Sequence, residues 1–274
     1  MVAWASRRRS IIDCAAFGES RASPKNDSAD RLRERLLEQI PNDIRVRALL
    51  RDKAMIELFY ADTPNVFKVS IALEEMGFAN IRRPIDLLRG EQSQPSYRAI
   101  NPHGKVPAII DYDPPGGGTA VNLFESGAIL IYLAEKSGKF LPKALSARYD
   151  AIAWVMWHMS AVNPNLSLSH HFLNMAPQSI PYAKEKFVNE STRLYRVLDE
   201  RLGKADYICG EYSIADMTCW PWLLYRGLHA QRLEDYPNMQ RWFQTIERRP
   251  AVRRALEGAF IPSVDQERDR AAKG

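Results

Sequence analysis

A small α/β domain followed by an all-helical domain is the fold class this sequence predicts, and three observations carry it. Strand and helix signals alternate in the order β-α-β-α-β-β-α between residues 55 and 139. One connection in that run, Asp113-Pro114-Pro115-Gly116-Gly117-Gly118, has hairpin-loop composition, so the unit contains an antiparallel pair. Beyond Leu141-Pro142 strand signals fade, and apolar residues recur at helical spacing. The expected boundaries are an N-terminal extension at 1–54, an α/β domain at 55–139, a helical domain at 146–262 and a charged, disordered tail at 263–274.

The α/β unit starts on the stretch Phe59-Tyr60-Ala61-Asp62-Thr63-Pro64-Asn65. The apolar run from Met55 to Tyr60 predicts a strand. Thr63 suits a helix N-cap and Pro64 the first helical position, where a missing N–H costs nothing. Val66, Val69, Leu73 and Met76 then share one helix face, and Gly77 ends it. Ile81 to Asp86 predicts a second strand, Leu87 to Gln94 a polar loop, and Ser96 to Ile100 a short helix. Val106 to Asp111 and Ala120 to Phe124 predict the hairpin, and Ser126 to Lys136 a helix stopped by Gly138. In the second domain the helices expected are Arg148 to Ser160, Leu166 to Leu173, Pro181 to Leu202, Ser213 to Leu228, Met239 to Arg248 and Ala251 to Leu256. Asn163-Pro164-Asn165 kinks or interrupts the first pair.

At 274 residues with 46% hydrophobic composition, the chain can bury one large core or two modest ones. No apolar stretch approaches the ~20 residues of a membrane span, so neither a span nor a membrane partner is expected. The net charge of +5 is uneven: residues 1–54 carry 12 Lys and Arg against 8 Asp and Glu, the remainder 26 against 25. The folded body is nearly neutral, which gives no support for a nucleic-acid surface. For the extension three readings compete: a mobile arm, a transit peptide, or an upstream start outside the working protein. Its Arg and Ser favour a transit peptide, Asp13 and Glu19 oppose one, and a mobile arm with no assigned role is the reading kept. Cys14, Cys209 and Cys219 are odd in number and lie in no metal-like or CxxC spacing, which fits a reducing, cytoplasmic setting.

Several stretches could carry chemistry, each with a bland alternative. The turn at Thr63 presents free backbone N–H groups and the positive end of a helix, a place to hold an anion such as a thiolate. Taken alone it is also an ordinary strand-to-helix connection. Val106-Pro107 reads as an edge-strand proline; were the peptide cis, the Val106 backbone would be open to pair with a peptide-like ligand. Glu125-Ser126-Gly127 opens a helix that Ser126 can cap, and an amino-acid headgroup suits it: carboxylate to Ser126 and the helix N–H groups, ammonium to Glu125. Ser213-Ile214-Ala215-Asp216, flanked by Tyr212 and Met217, is a capping box with a hydrophobic staple, read as structural and worth about 0.5–2 kcal/mol. His170, His171, Trp154, Trp157 and Phe172 line an acceptor pocket or, more ordinarily, belong to the core. Lys184 and Lys186 read as solvated surface charges.

No one motif is strong, but their order and spacing are specific. FYADTPN, NPHGKVPAIID, LFESGAILIYLAEKSG, HHF, APQSIPYAKE and YSIADMTCWPW together resemble the soluble glutathione transferases over residues 55–262. In detail the chain is similar to the nu class of bacterial disulfide-bond oxidoreductases and the related yeast nitrogen-regulator-like transferases. The resemblance implies a thioredoxin-like N-terminal domain that binds glutathione, a cis Val106-Pro107 peptide whose Val106 pairs with the cysteinyl backbone, and a headgroup held by Glu125 and Ser126. It implies Gln92 near the tripeptide, Thr63 and Asn65 around the sulfur, and a homodimer. Members of this group reduce small disulfides with glutathione thiols held in the site, and here no cysteine lies at the turn where thioredoxins or omega- and beta-class transferases place one.

A free thiol of pKa ~8.5 is only about 3% ionised at pH 7. Lowering it by ~1.5–2 units needs about 2–3 kcal/mol of preferential anion stabilisation, which the Asn65 amide, the Thr63 hydroxyl and the helix N-terminus can supply as donors, not bases. Tyr60 is a rival donor. The leading expectation is thus a glutathione-dependent thiol–disulfide oxidoreductase, using reduced or oxidised glutathione and a small-molecule disulfide. A conjugating transferase for electrophiles and a non-catalytic binding or regulatory module are the alternatives.

Overall fold

The structure, a computed structural model, describes residues 55–263. The extension, Cys14 and all but the first residue of the expected tail lie outside the described residues. The α/β unit runs β1 (Ile56–Tyr60), α1 (Pro64–Met76), β2 (Asn80–Pro84), a 3₁₀ turn (Glu91–Ser93), α2 (Pro95–Arg98), β3 (Ala108–Asp111), β4 (Val121–Phe124) and α3 (Ser126–Ser137). Its four strands lie in the order β2-β1-β3-β4, with β1 parallel to β2 and antiparallel to β3, and β3 antiparallel to β4.

Register is what positions the site. Phe59 lies opposite Ala108, and Ala108 opposite Phe124. The chain leaving β1, the chain entering β3 and the chain leaving β4 therefore meet at one end of the sheet. These are the Thr63 turn, the Val106-Pro107 segment and the Glu125-Ser126 turn.

Local chemistry fixes each boundary. Thr63 caps α1, its Oγ1 accepting from the Val66 N–H at 3.4 Å, Pro64 takes the first helical position, and Gly77 closes the helix at φ 80°. Every residue from Val66 to Leu73 is buried, because α1 is packed against α3, α7 and α9 and shares a core with Ile56, Leu58 and Ile109 of the sheet. β3 begins at Ala108 rather than Val106, since the cis Val106-Pro107 pair precedes it and proline has no N–H for the ladder.

The helical part comprises α4 (Leu145–Trp157), α5 (Asn163–His170), α6 (Pro181–Leu202), α7 (Ile214–Leu223), α8 (Pro237–Glu247) and α9 (Pro250–Ala255). Wide π turns at His158–Val162 and His171–Met175 flank α5. The first absorbs Pro164, which cannot donate to the carbonyl one turn back. α7 stops at Leu223, short of the expected Leu228, and the chain tightens into a 3₁₀ turn at Arg226–His229. Pro221 removes a donor from its last turn, and Gly227 follows.

One core joins both parts: Ile56, Leu58, Val69, Ile109 and Leu130 share a continuous cluster with Trp220, Trp242 and Ile246. The Ser213–Asp216 box starts α7 as expected, Ser213 Oγ accepting from the Ala215 N–H at 3.2 Å and Asp216 from the Ser213 N–H at 2.9 Å. Asp216 also accepts from the Ile208 N–H at 3.0 Å and Trp242 Nε1–H at 2.8 Å, so it does far more than cap a helix.

Candidate functional site

At the β1–α1 turn, Thr63 and Asn65 are both half-buried. Thr63 Oγ1 is occupied as an acceptor by the helix, which leaves its hydroxyl hydrogen free to donate outward. Asn65 is the second residue of α1, so its backbone N–H has no intrahelical acceptor. Its side-chain Oδ1 accepts from Trp222 Nε1–H at 3.2 Å, across from α7. The rival donor Tyr60 is committed elsewhere: its phenol donates to Asp62, and burial, then this hydrogen bond, raises its pKa well above the tyrosine range. Asp62 in turn accepts from the Phe260 N–H at 3.2 Å, tying down the segment after α9.

The peptide between Val106 and Pro107 is cis, and Val106 lies outside the β3 ladder. Two donors clamp the loop before it, since Lys105 O accepts from Tyr97 Oη–H at 2.6 Å and Asn101 Nδ2–H at 2.5 Å. Gln92 reaches this loop: a Cβ on Gly104 would sit 3.1 Å from the Gln92 carbonyl oxygen. Its amide donates to Leu87 O at 3.4 Å, while its Oε1 is buried without a partner. The structure thus brings the Gln92 backbone against Gly104, two residues before Val106.

The β4–α3 turn differs from expectation in one respect. Glu125, not Ser126, is the N-cap residue of α3, and its side chain makes no capping bond; Ser126 is the first helical residue. Glu125 is exposed and has φ 69°, an uncommon conformation for a side-chain-bearing residue, of a kind that concentrates at ligand clamps. Ser126 is 3% exposed, its Oγ 3.6 Å from Met159 Sδ.

Behind that turn lies a group the sequence did not advertise as functional. Lys68 is fully buried, its Nζ 3.4 Å from His158 Nδ1 and 3.6 Å from the same Met159 sulfur. Burial pulls its pKa from near 10.5 to about 7, opposed by the negative charge of Glu125. Burial and then Lys68 hold His158 well below the histidine range, so its ring is neutral. Between pH ~7 and ~10 the unfolded chain keeps a proton that the folded chain has released, so stability rises with pH across that window. Lys68→Met is expected to be more stable than wild type at neutral pH and to lose this rise, as chemical denaturation at several pH values will show.

The aromatics proposed for an acceptor pocket fall into two groups. Trp154 and Trp157 pair edge to face at 5.0 Å against the core, with Arg201 over Trp154. Phe172 instead stacks on Phe187, with His171 against its edge. Lys186 is exposed on α6 and lies over Phe187, consistent with a surface role. Trp222 was missed because its partner lies 157 residues away, a distance no local pattern spans. Lys68 had a readable signal: it is a cation inside a helix that is apolar nearly all round.

This mixed sheet with its helical partner domain, and the convergence of turn, cis-proline segment and helix start, define a protein of glutathione transferase architecture. Residues 63–136 match the family description "Glutathione S-transferase, N-terminal domain" and residues 163–250 match "Glutathione S-transferase, C-terminal domain". Disulfide-bond oxidoreductase YfcG of Escherichia coli (strain K12) is 43% identical over 203 residues, covering 74% of this chain and 94% of YfcG. A glutathione transferase from Burkholderia graminis, crystallised with two glutathione molecules per subunit, superposes with a TM-score of 0.71 at 38% identity, covering 74% of this chain and 88% of that one. A Pseudomonas putida relative holding one glutathione disulfide per subunit gives 0.71 at 35% identity, covering 77% and 93%. The chain belongs to the glutathione S-transferase family, in the group that contains YfcG. The family and fold expected from the sequence are borne out.

Proposed function

We propose that this protein is a glutathione-dependent thiol–disulfide oxidoreductase in which the reacting sulfur belongs to bound glutathione. The observation that carries it is a thiol turn without cysteine but with donors, Thr63 and Asn65, beside an open cis-proline segment. The two described cysteines are poor nucleophiles. Cys209 is pushed up to about 12 by burial, and Cys219 is buried in α7 and raised further. In this reading the Val106 backbone pairs with the cysteinyl unit, Glu125 and Ser126 take the γ-glutamyl headgroup, and Gln92 offers its unpartnered Oε1 to a ligand N–H. The Thr63 hydroxyl and the Asn65 donors face the sulfur and favour its thiolate electrostatically.

The thiolate attacks one sulfur of a small disulfide; the old S–S bond breaks as a mixed disulfide forms, and the departing thiolate takes a proton. A second glutathione thiolate attacks the mixed disulfide, releasing the second substrate thiol and leaving glutathione disulfide. Two glutathione molecules are oxidised and one disulfide is reduced. The relatives holding two glutathiones or one glutathione disulfide per subunit match the start and end of that cycle.

The variant with Cys14, Cys209 and Cys219 all replaced by Ser is expected to reduce a small disulfide at near-wild-type rate; loss of turnover in a variant that still folds would overturn the proposal. Faster turnover of an aryl halide than of the disulfide would favour a conjugating transferase. We also infer a homodimer. Leu145, Tyr149 and Met156 stand on one face of α4 at 74%, 61% and 44% exposure, an apolar stripe suited to a partner copy. Light scattering of the purified chain is expected to give twice the monomer mass.

A further inference from the structure

We propose that Trp222 is a positioning residue that sets the direction of the Asn65 amide, and through it the acidity of the bound thiol; this rests on the sulfur-site reading of Asn65. An indole N–H can only donate. The Asn65 atom that meets Trp222 Nε1 at 3.2 Å must therefore be the acceptor Oδ1, which turns Nδ2 and its two hydrogens the other way. An amide rotated by half a turn would set donor against donor in a part-buried contact and leave both unsatisfied.

The indole itself has little freedom. Trp222 is 5% exposed, with His229 stacked on it at 5.8 Å and His158 tilted against it at 6.2 Å. His229 is neutral, burial and then His170 pulling its pKa down to about 3. His158 is neutral for the reasons given above, so neither ring adds a charge at neutral pH. A rigid, uncharged donor thus fixes an otherwise two-fold ambiguous side chain.

The consequence is chemical. With Oδ1 held by the indole, Asn65 presents only donors to a ligand sulfur, which favours thiolate over thiol. With Oδ1 released, the amide is free to turn its lone pairs toward the sulfur, which favours the protonated form. Trp222 stands on α7 in the helical domain and Asn65 on α1 in the glutathione-binding domain, so the helical domain contributes to thiol ionisation without touching the sulfur.

The test uses Trp222→Phe, which keeps the ring and removes the N–H. Glutathione is bound to wild type, Trp222→Phe, Asn65→Ala and the double variant, and its thiolate absorbance is titrated against pH. Trp222→Phe is expected to cut the thiolate fraction at neutral pH about threefold to tenfold, with no further loss when added to Asn65→Ala. Its kcat/KM for a small disulfide is expected to recover at higher pH, where the thiol ionises unaided; general structural damage would not recover. A thiol pKa unchanged in Trp222→Phe but raised in Asn65→Ala would overturn the proposal and leave Asn65 in place. A pKa moved by neither variant would remove both residues from the sulfur site.

Discussion

Asn65→Ala is expected to raise the pKa of bound glutathione by about one to two units and to slow disulfide reduction at neutral pH by roughly tenfold to a hundredfold. The size follows from what the side chain supplies. A hydrogen bond to an ionised partner contributes ~1.5–3 kcal/mol, and each pKa unit corresponds to ~1.4 kcal/mol. The backbone N–H at position 65 and the Thr63 hydroxyl survive the substitution, so ionisation is weakened rather than abolished. Asn65→Asp is expected to be worse than Ala: a carboxylate still accepts from Trp222 but turns a negative charge on the thiolate. A pH–rate profile superimposable on wild type in Asn65→Ala would refute an electrostatic role for this residue.

Much of this site was legible in the sequence because its parts are local. Thr63 and Pro64 announce a helix start by cap and missing donor, and Val106-Pro107 announces a strand boundary. Glu125 and Ser126 follow a hairpin whose loop declares itself in prolines and glycines. The sequence could not show the register that brings the three together, because Phe59, Ala108 and Phe124 become neighbours only through long-range pairing. Nor could it show which residue of Glu125-Ser126 caps α3: serine is the better cap by chemistry, yet the positive φ at Glu125 puts the boundary one residue earlier. Trp222 and His158 lay beyond reach for the same reason as the register. Each contacts a residue in the other domain.

Asp216 was underestimated for a related reason, and its replacement is the second large effect expected. A capping box predicts about 0.5–2 kcal/mol for loss of the N3 carboxylate. In the folded chain this carboxylate is fully buried and accepts from the Ile208 N–H, the Ser213 N–H, the Ser213 hydroxyl and the Trp242 indole. Asp216→Ala strands buried donors from three separate segments, so about 3–5 kcal/mol is expected, lowering the melting temperature by roughly 6–20 °C. Asp216→Asn keeps the shape but turns a donor toward other donors, so it should be destabilised as well. Burial, against the four donors that oppose it, lifts the Asp216 pKa from near 3.8 to about 6. Folding therefore takes up a proton between those values, and this contribution is complete at low pH and is lost as pH rises through about 6. Denaturation midpoints measured across pH ~4–7 should show that component in wild type and lack it in Asp216→Asn; identical profiles would mean the carboxylate is no more perturbed than an ordinary surface acid.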